Sequence, residues 1–296
     1  MSLTKIWTGP ETGDPKPIIY LGGIVAGGSP EKALHVLPDI VRFQCLSYFY
    51  VGPNSRRPEI CEKLWSRFAH YGTRAFLDSG AFSYQIEGIK KKRPLDQKVA
   101  ATIIDGYVDW VYACPFTFDF IVTFDYQRDA AVEAWATKRI EARGLHPVPT
   151  YHYGSSLKVL RNMVERYSFI GIGGMVGTTN DKLYPFLDQV FNITQKYGVR
   201  LHGFGIGSAV TMFKYPWFCV DSTAWLACAA KSGQVARRSN DPRKIIEMVP
   251  VSSRRAPTKS LNGDSREERI RETWLTYDSL MRNPPTLSTP VKRGLF

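Results

Sequence analysis

Phe76-Leu77-Asp78-Ser79-Gly80-Ala81-Phe82-Ser83 has the form of a buried strand that ends by presenting a carboxylate. Apolar residues run into Asp78, three small residues follow, and an aromatic side chain comes next. Ser79, Gly80 and Ala81 would let a flat ligand approach the backbone, and Phe82 could cover one of its faces. The ordinary alternative is a strand ending in a helix cap or turn, where Asp and Ser are common. A second ending of the same form, Phe218-Cys219-Val220-Asp221-Ser222-Thr223, favours a repeated architecture in which strand ends carry side chains for chemistry.

Outward from these endings, the chain alternates short apolar runs with helical patterns. Strands are expected at 17–21, 43–50, 74–77, 118–124, 147–151, 169–172, 200–205 and 217–220. Ser29-Pro30-Glu31 should open the first helix. Further helices are expected over 58–70, 96–112, 128–143, 157–165 and 183–197, with a short one from Ser208. Strands alternating with helices predict a parallel α/β fold, most simply a closed (β/α)8 TIM-type barrel. An open doubly wound sheet should show GxGxxG after the first strand, and Gly22-Gly23-Ile24-Val25-Ala26-Gly27-Gly28 does not match it. Residues 1–232 are read as the catalytic barrel and 233–296 as a basic extension packed on it. The extension holds Arg237, Arg238, Arg243, Lys244, Arg254, Arg255 and Lys259, a helix from the capping box at Ser265 to about Arg282, and an extended tail.

The 296 residues suffice for one large core, and no apolar run is long enough to span a membrane. Met1-Ser2-Leu3-Thr4-Lys5 lacks the form of a signal peptide. Five scattered cysteines (45, 61, 114, 219, 228) suggest reduced thiols, so a cytoplasmic location is expected. The net charge of +12 favours a polyanionic partner such as nucleic acid.

In a barrel the active site lies at the C-terminal strand ends. Asp78, Asp125, His152 or Tyr153, Gly173, Gly174, His202 and Asp221 all fall there. Two carboxyl groups in one closed pocket can divide labour between nucleophile and general acid or base. Asp125 has the simpler alternative of capping the next helix, and His202 that of a satisfied core histidine. His35, His70 and His146 are read as structural or surface residues. Gly203-Phe204-Gly205-Ile206-Gly207 fits either a phosphate cradle or a tight turn.

Four short motifs then resemble, in order, those of the tRNA-guanine transglycosylases. Asp78-Ser79-Gly80-Ala81-Phe82 is similar to their DSGG-aromatic motif, and Ile172-Gly173-Gly174-Met175-Val176-Gly177 to their IGG-L-x-V-G stretch. Leu201-His202-Gly203-Phe204-Gly205 looks like their LMGVG, and Phe218-Cys219-Val220-Asp221-Ser222 like their FDCV-type segment. The resemblance implies Asp221 as nucleophile, Asp78 as general acid/base, Asp125 as reader of a base edge, Phe82 as a stacking ring, and Ser79, Gly80, Gly173 and Gly174 as pocket backbone. His152 and His202 fall where the family has a glutamine and a methionine. The family's CxCxxC zinc cluster is missing: only Cys228 stands there, so no zinc and no other cofactor is expected.

That departure resembles the compact branch acting on DNA. The implied function is exchange of guanine in DNA for a 7-deazaguanine base, with exchange on tRNA as the alternative. A nucleoside or glycoside hydrolase and a non-catalytic nucleic-acid-binding barrel remain as other classes. Lys90-Lys91-Lys92-Arg93 and Arg237-Arg238 would hold backbone phosphates, although such runs are commonly solvated surface. A homodimer is left open by the sequence.

Overall fold

The computed structural model describes residues 17–23, 41–53, 55, 58–126, 129–225, 233–241, 244–250 and 266–285. The helix expected from Ser29, the lead-in, the tail beyond 285, Cys228, Arg243, Arg254, Arg255 and Lys259 lie outside them.

In chain order the elements are β1 (Ile18–Leu21), β2 (Phe43–Ser47), α1 (Tyr48–Val51), α2 (Pro58–Tyr71), β3 (Arg74–Asp78), α3 (Ala81–Lys90), α4 (Gln97–Ala113) and α5 (Ala130–Glu141). There follow β4 (Thr150–His152), α6 (Leu157–Val164), β5 (Phe169–Gly173), α7 (Asn180–Lys196), β6 (Arg200–Gly203), α8 (Ala209–Lys214) and β7 (Cys219–Ser222). The chain closes with β8 (Gln234–Arg238), β9 (Ile246–Pro250) and α9 (Arg266–Arg282). The fold is α/β: a curled, seven-stranded parallel sheet in the order β3-β2-β1-β7-β6-β5-β4, with an antiparallel β8–β9 hairpin beside it.

The strand expected at 118–124 is not one of the seven. That segment makes two isolated parallel bridges, Leu77 with Ile121 and Val122 with Val148, and so touches both edges of the sheet. Val122 N–H donates to the Leu77 carbonyl at 3.0 Å, and Val148 N–H to that of Ile121 at 2.8 Å. The ladder stops for a chemical reason. Pro147 and Pro149 flank Val148 and bring no N–H. The next donor, Thr150 N–H, is taken by the Glu133 carboxylate at 2.5 Å.

Side chains alternate along each strand, and one set fills the inside of the curl with rings. Phe76 stacks on Phe120 at 4.6 Å, and Tyr20 meets Phe43, Phe76 and Phe120 edge-on. Below them Asp119 accepts from the Tyr20 hydroxyl at 2.5 Å and from Arg74 Nε at 2.9 Å. Phe76 and Phe120 also contact His202, so the rings lie beneath the strand ends.

After β7 the described part of the expected basic extension holds the β8–β9 hairpin as well as the expected helix, α9. The hairpin packs on α9, whose Trp274, Tyr277, Leu280 and Met281 are buried. Trp274 meets Trp225 at 6.4 Å, and the Met281 sulfur accepts from the Ile19 N–H at 3.2 Å. No helix among the described residues is long and apolar enough to cross a membrane.

Candidate functional site

Strand register aligns the candidate residues. Ser47 pairs with Asp78 across β2 and β3, Tyr20 with Asp221 across β1 and β7, and His152 with Gly173 across β4 and β5. The C-terminal ends of these strands therefore share one rim, as parallel pairing requires.

Asp78 is part-buried. Its Oδ2 accepts from Gly80 N–H at 3.0 Å, and Gly80 has φ 76°, the left-handed region, at the cap of α3. The turn and the functional reading coexist here: a tight glycine turn is what holds the carboxyl in place. Burial, with the nearby charges of Asp125 and Asp221, pushes the Asp78 carboxyl up to about 7, against an ordinary value of 3.8. Near neutral pH it is thus partly protonated, while a free aspartate is ionised.

Asp221 is almost wholly enclosed. Its Oδ1 accepts from Gly205 N–H at 2.9 Å and lies 3.3 Å from Nε2 of His202. The glycine turn after β6 is therefore committed to a carboxylate of the protein. His202 has no exposed surface; its Nδ1 is 3.1 Å from the Cys219 sulfur, and the rings of Phe76 and Phe204 lie 4.8 and 4.5 Å away. Burial lowers its pKa below the usual 6.5, partly offset by Asp221. A carbon-detected NMR titration should show the His202 ring more than half neutral at pH 6.5, where a free histidine is half protonated. A midpoint at or above 6.5 would mean that Asp221 overrides the burial.

Asp125 sits 3.3 Å from Nε2 of the buried His152. It does not cap the following helix, because Asp129 does so, accepting from Ala131 and Val132 N–H at 2.8 and 3.1 Å. Asp125 is thereby left for the rim. Gly173 provides the space for His152: a Cβ there would lie 2.9 Å from Thr150 Cγ2 and 3.1 Å from His152 Nδ1. Gly174 follows in the left-handed region at φ 73°.

Other expected positions fall elsewhere. Phe82, at the start of α3, is 66% exposed and stands in solvent, and Ser79 is fully buried with an unpartnered hydroxyl. Lys90 ends α3, and Lys91, Lys92 and Arg93 follow it on the surface, Lys91 paired with Glu87 at 2.8 Å. Arg237 pairs with Glu272 at 2.7 Å and Arg238 donates to the Asn283 carbonyl at 2.8 Å, so both also bind the hairpin to α9.

Two neighbours of the carboxyl groups escaped the sequence reading. Burial, with the nearby charges of Asp221 and Asp78, pushes the Cys45 thiol well up. Ser47 stands opposite Asp78. The alternation Phe43, Cys45, Ser47, in phase with Phe76 and Asp78, was the available signal.

The arrangement defines a class of site: three carboxyl groups, two backed by histidines, at the C-terminal rim of a curled parallel sheet. No known protein-family model matches the sequence, and no curated protein matches it. Among solved structures, the chain is similar to the tryptophan synthase alpha subunit of Legionella pneumophila str. Paris, at 9% identity over 89% of this chain and 94% of that one, with a TM-score of 0.44. A second, the alpha chain from Legionella pneumophila subsp. pneumophila, gives 10%, 90%, 93% and 0.45. A mutant alpha subunit from Pyrococcus furiosus gives 10%, 74%, 92% and 0.42.

These findings correct the expected family. No family model and no curated protein supports the four motifs, and the similar structures named above are tryptophan synthase alpha subunits. Membership of the tRNA-guanine transglycosylases, and with it guanine exchange on DNA or tRNA, is withdrawn. The physical reason is visible in the motifs themselves. Asp-Ser-Gly and Gly-Gly after a strand are what any tight turn at a strand end uses, here the Gly80 cap and the left-handed Gly174.

Proposed function

We propose that the chain is an enzyme performing general acid–base chemistry on a small, polar molecule rich in N–H or O–H donors. This reading takes the seven strands and the bridging segment at Ile121 and Val122 as one closed (β/α)8 barrel, with its site at the usual face. The observation that carries it is the enclosure of the Asp78 carboxyl, held by Gly80 N–H, close to Asp125 and Asp221, which pushes it up to about 7. Carboxyl groups driven apart in proton affinity are the usual basis for assigning an acid and a base.

Asp221, held by Gly205 N–H and flanked by a neutral His202, is the base that accepts a proton from the substrate. Asp78 is the acid that returns one to a second atom, which yields an isomerisation or an elimination. Asp125, next to His152, binds a donor group of the substrate and keeps Asp78 protonated by its charge. The negative rim favours a neutral or cationic substrate over an anionic one.

The test is incubation of the pure protein with a pooled small-metabolite extract in deuterium oxide, followed by mass spectrometry. The expected result is at least one compound consumed or labelled with deuterium by the wild type, but not by folded Asp78→Asn or Asp221→Asn. Labelling that survives both substitutions would overturn the assignment, as would the lack of any change with wild type.

A further inference from the structure

A separate cavity of about 330 Å³ opens between α5 and α6, outside the sheet and floored by β4. Glu133 and Thr150 line its polar end, and Ala134, Val159, Met163 and Tyr167 its apolar side. Glu133 is only 6% exposed, and one carboxylate oxygen serves Thr150 N–H where the adjacent strand is missing. Its other oxygen, Oε2, and the Thr150 hydroxyl are both buried without a hydrogen-bond partner. A buried carboxyl group left half-satisfied is costly, and a fold that keeps one at the wall of a cavity points to a ligand.

We propose that this cavity binds a small amine, its ammonium or amidinium head on Glu133 and Thr150 and its apolar body along Ala134, Val159, Met163 and Tyr167. The head supplies N–H donors to Oε2 and to the threonine oxygen, which a carboxylate ligand could not do. An anion would also be opposed by the nearby charge of Asp125. Burial, with Asp125, holds the Glu133 carboxyl well above its usual range, and a bound cation would favour its ionised form. Arg166 also lines the cavity, on its exposed side, with its guanidinium carbon 5.4 Å from the centre of the Tyr167 ring, so the ammonium head is placed at the Glu133 end and the apolar body towards Tyr167. His152, 3.3 Å from Asp125 of the rim, also lines this cavity, but the amine site does not rest on the reaction proposed above.

The probe is benzylamine, titrated into the full-length protein up to roughly 10 mM and followed by calorimetry and by amide chemical shifts, since a ligand of so few atoms binds weakly. Saturable binding at one site is expected, weakened about tenfold or more by Glu133→Gln, which keeps the acceptor for Thr150 but loses the charge. Ala134→Trp, on an exposed helix position, should block binding without harming the fold. Benzyl alcohol should bind at least about tenfold more weakly than benzylamine. Asp221→Asn should leave binding unchanged. The proposal fails if benzylamine does not saturate, or if both Glu133→Gln and Ala134→Trp bind it as the wild type does. It fails equally if Asp221→Asn, and not Glu133→Gln, removes the binding, because the probe would then occupy the carboxylate rim.

Discussion

Asp78→Asn is expected to make the protein more stable at pH 8, by roughly 4 kcal/mol, while removing its activity. In the folded chain the carboxyl group ionises near pH 7, and in the unfolded chain near its ordinary 3.8. Between those values the folded state keeps a proton that the unfolded state has released. Stability therefore falls as pH rises through that window, by about 1.4 kcal/mol for each unit. Above pH 7 both states are ionised and the full cost is present. Asparagine carries no charge to bury, so the variant escapes the cost. Below about pH 4 both states of the wild type are protonated and the advantage vanishes. Urea unfolding of both proteins at pH 4, 6 and 8 measures the gap. A gap that does not widen with pH would mean that Asp78 ionises like a solvated aspartate, and the acid role would fall with it. Gain of stability with loss of activity is what a residue strained for function should show.

Gly80→Ala should be costly in the opposite sense. The residue holds φ at 76°, and an added Cβ would stand 2.7 Å from Phe49 Cβ and 2.8 Å from its backbone nitrogen. A flexible side chain could yield to such contacts, but α1 backbone cannot. Strain of about 1 kcal/mol and overpacking of about 1–3 kcal/mol together give a loss of roughly 2–4 kcal/mol. For a chain of this size that lowers Tm by roughly 3–7 °C. Gly72→Ala is the control. Its φ is 62°, yet nothing lies within 4 Å of the new Cβ, so it should lose only the strain. Scanning calorimetry of the two variants separates the terms, and equal losses would remove the packing argument. In Gly80→Ala the N–H that holds Asp78 should also shift, so its carboxyl titration should move with it.

Much of the sheet could be read from the chain because parallel buried strands are continuous apolar runs: Ile18–Leu21, Phe43–Ser47 and Phe169–Gly173 stand where the runs placed them, within a few residues. The segment 118–124 misled for a specific reason. Its apolar character is real, since Phe120 stacks in the core, but its outer neighbour is a Pro-Val-Pro run and the next strand donor is spent on Glu133. A partner's missing N–H cannot be seen from the strand itself. Helix α3 went unread because Phe82, Ile86 and Ile89 are exposed on it, so its apolar spacing does not report a buried face.

At the site, strand ends were legible and partnerships were not. Asp78, Asp125 and Asp221 could be picked out because each follows an apolar run. That His152 faces Asp125, that His202 faces Asp221, and that a glycine N–H holds each of Asp78 and Asp221 depends on register and turn geometry between distant parts of the chain. The family resemblance failed at the same level. Short Gly- and Ser-rich motifs encode how a strand turns, and turns are shared by proteins with unrelated chemistry.

The bond from the Ile19 N–H to the Met281 sulfur joins residues 262 positions apart. On a ribosome adding roughly 5–20 residues per second, the first strand would wait on the order of 10–50 seconds for the helix that covers it. Phe43–Ser47 can pair with one edge early, but the strand for the other edge, Cys219–Ser222, arrives only some three-quarters of the way through that wait. Until then Ile18–Leu21 is a bare apolar edge on a nascent chain, a natural target for a holding chaperone and the point where premature release would end in aggregation.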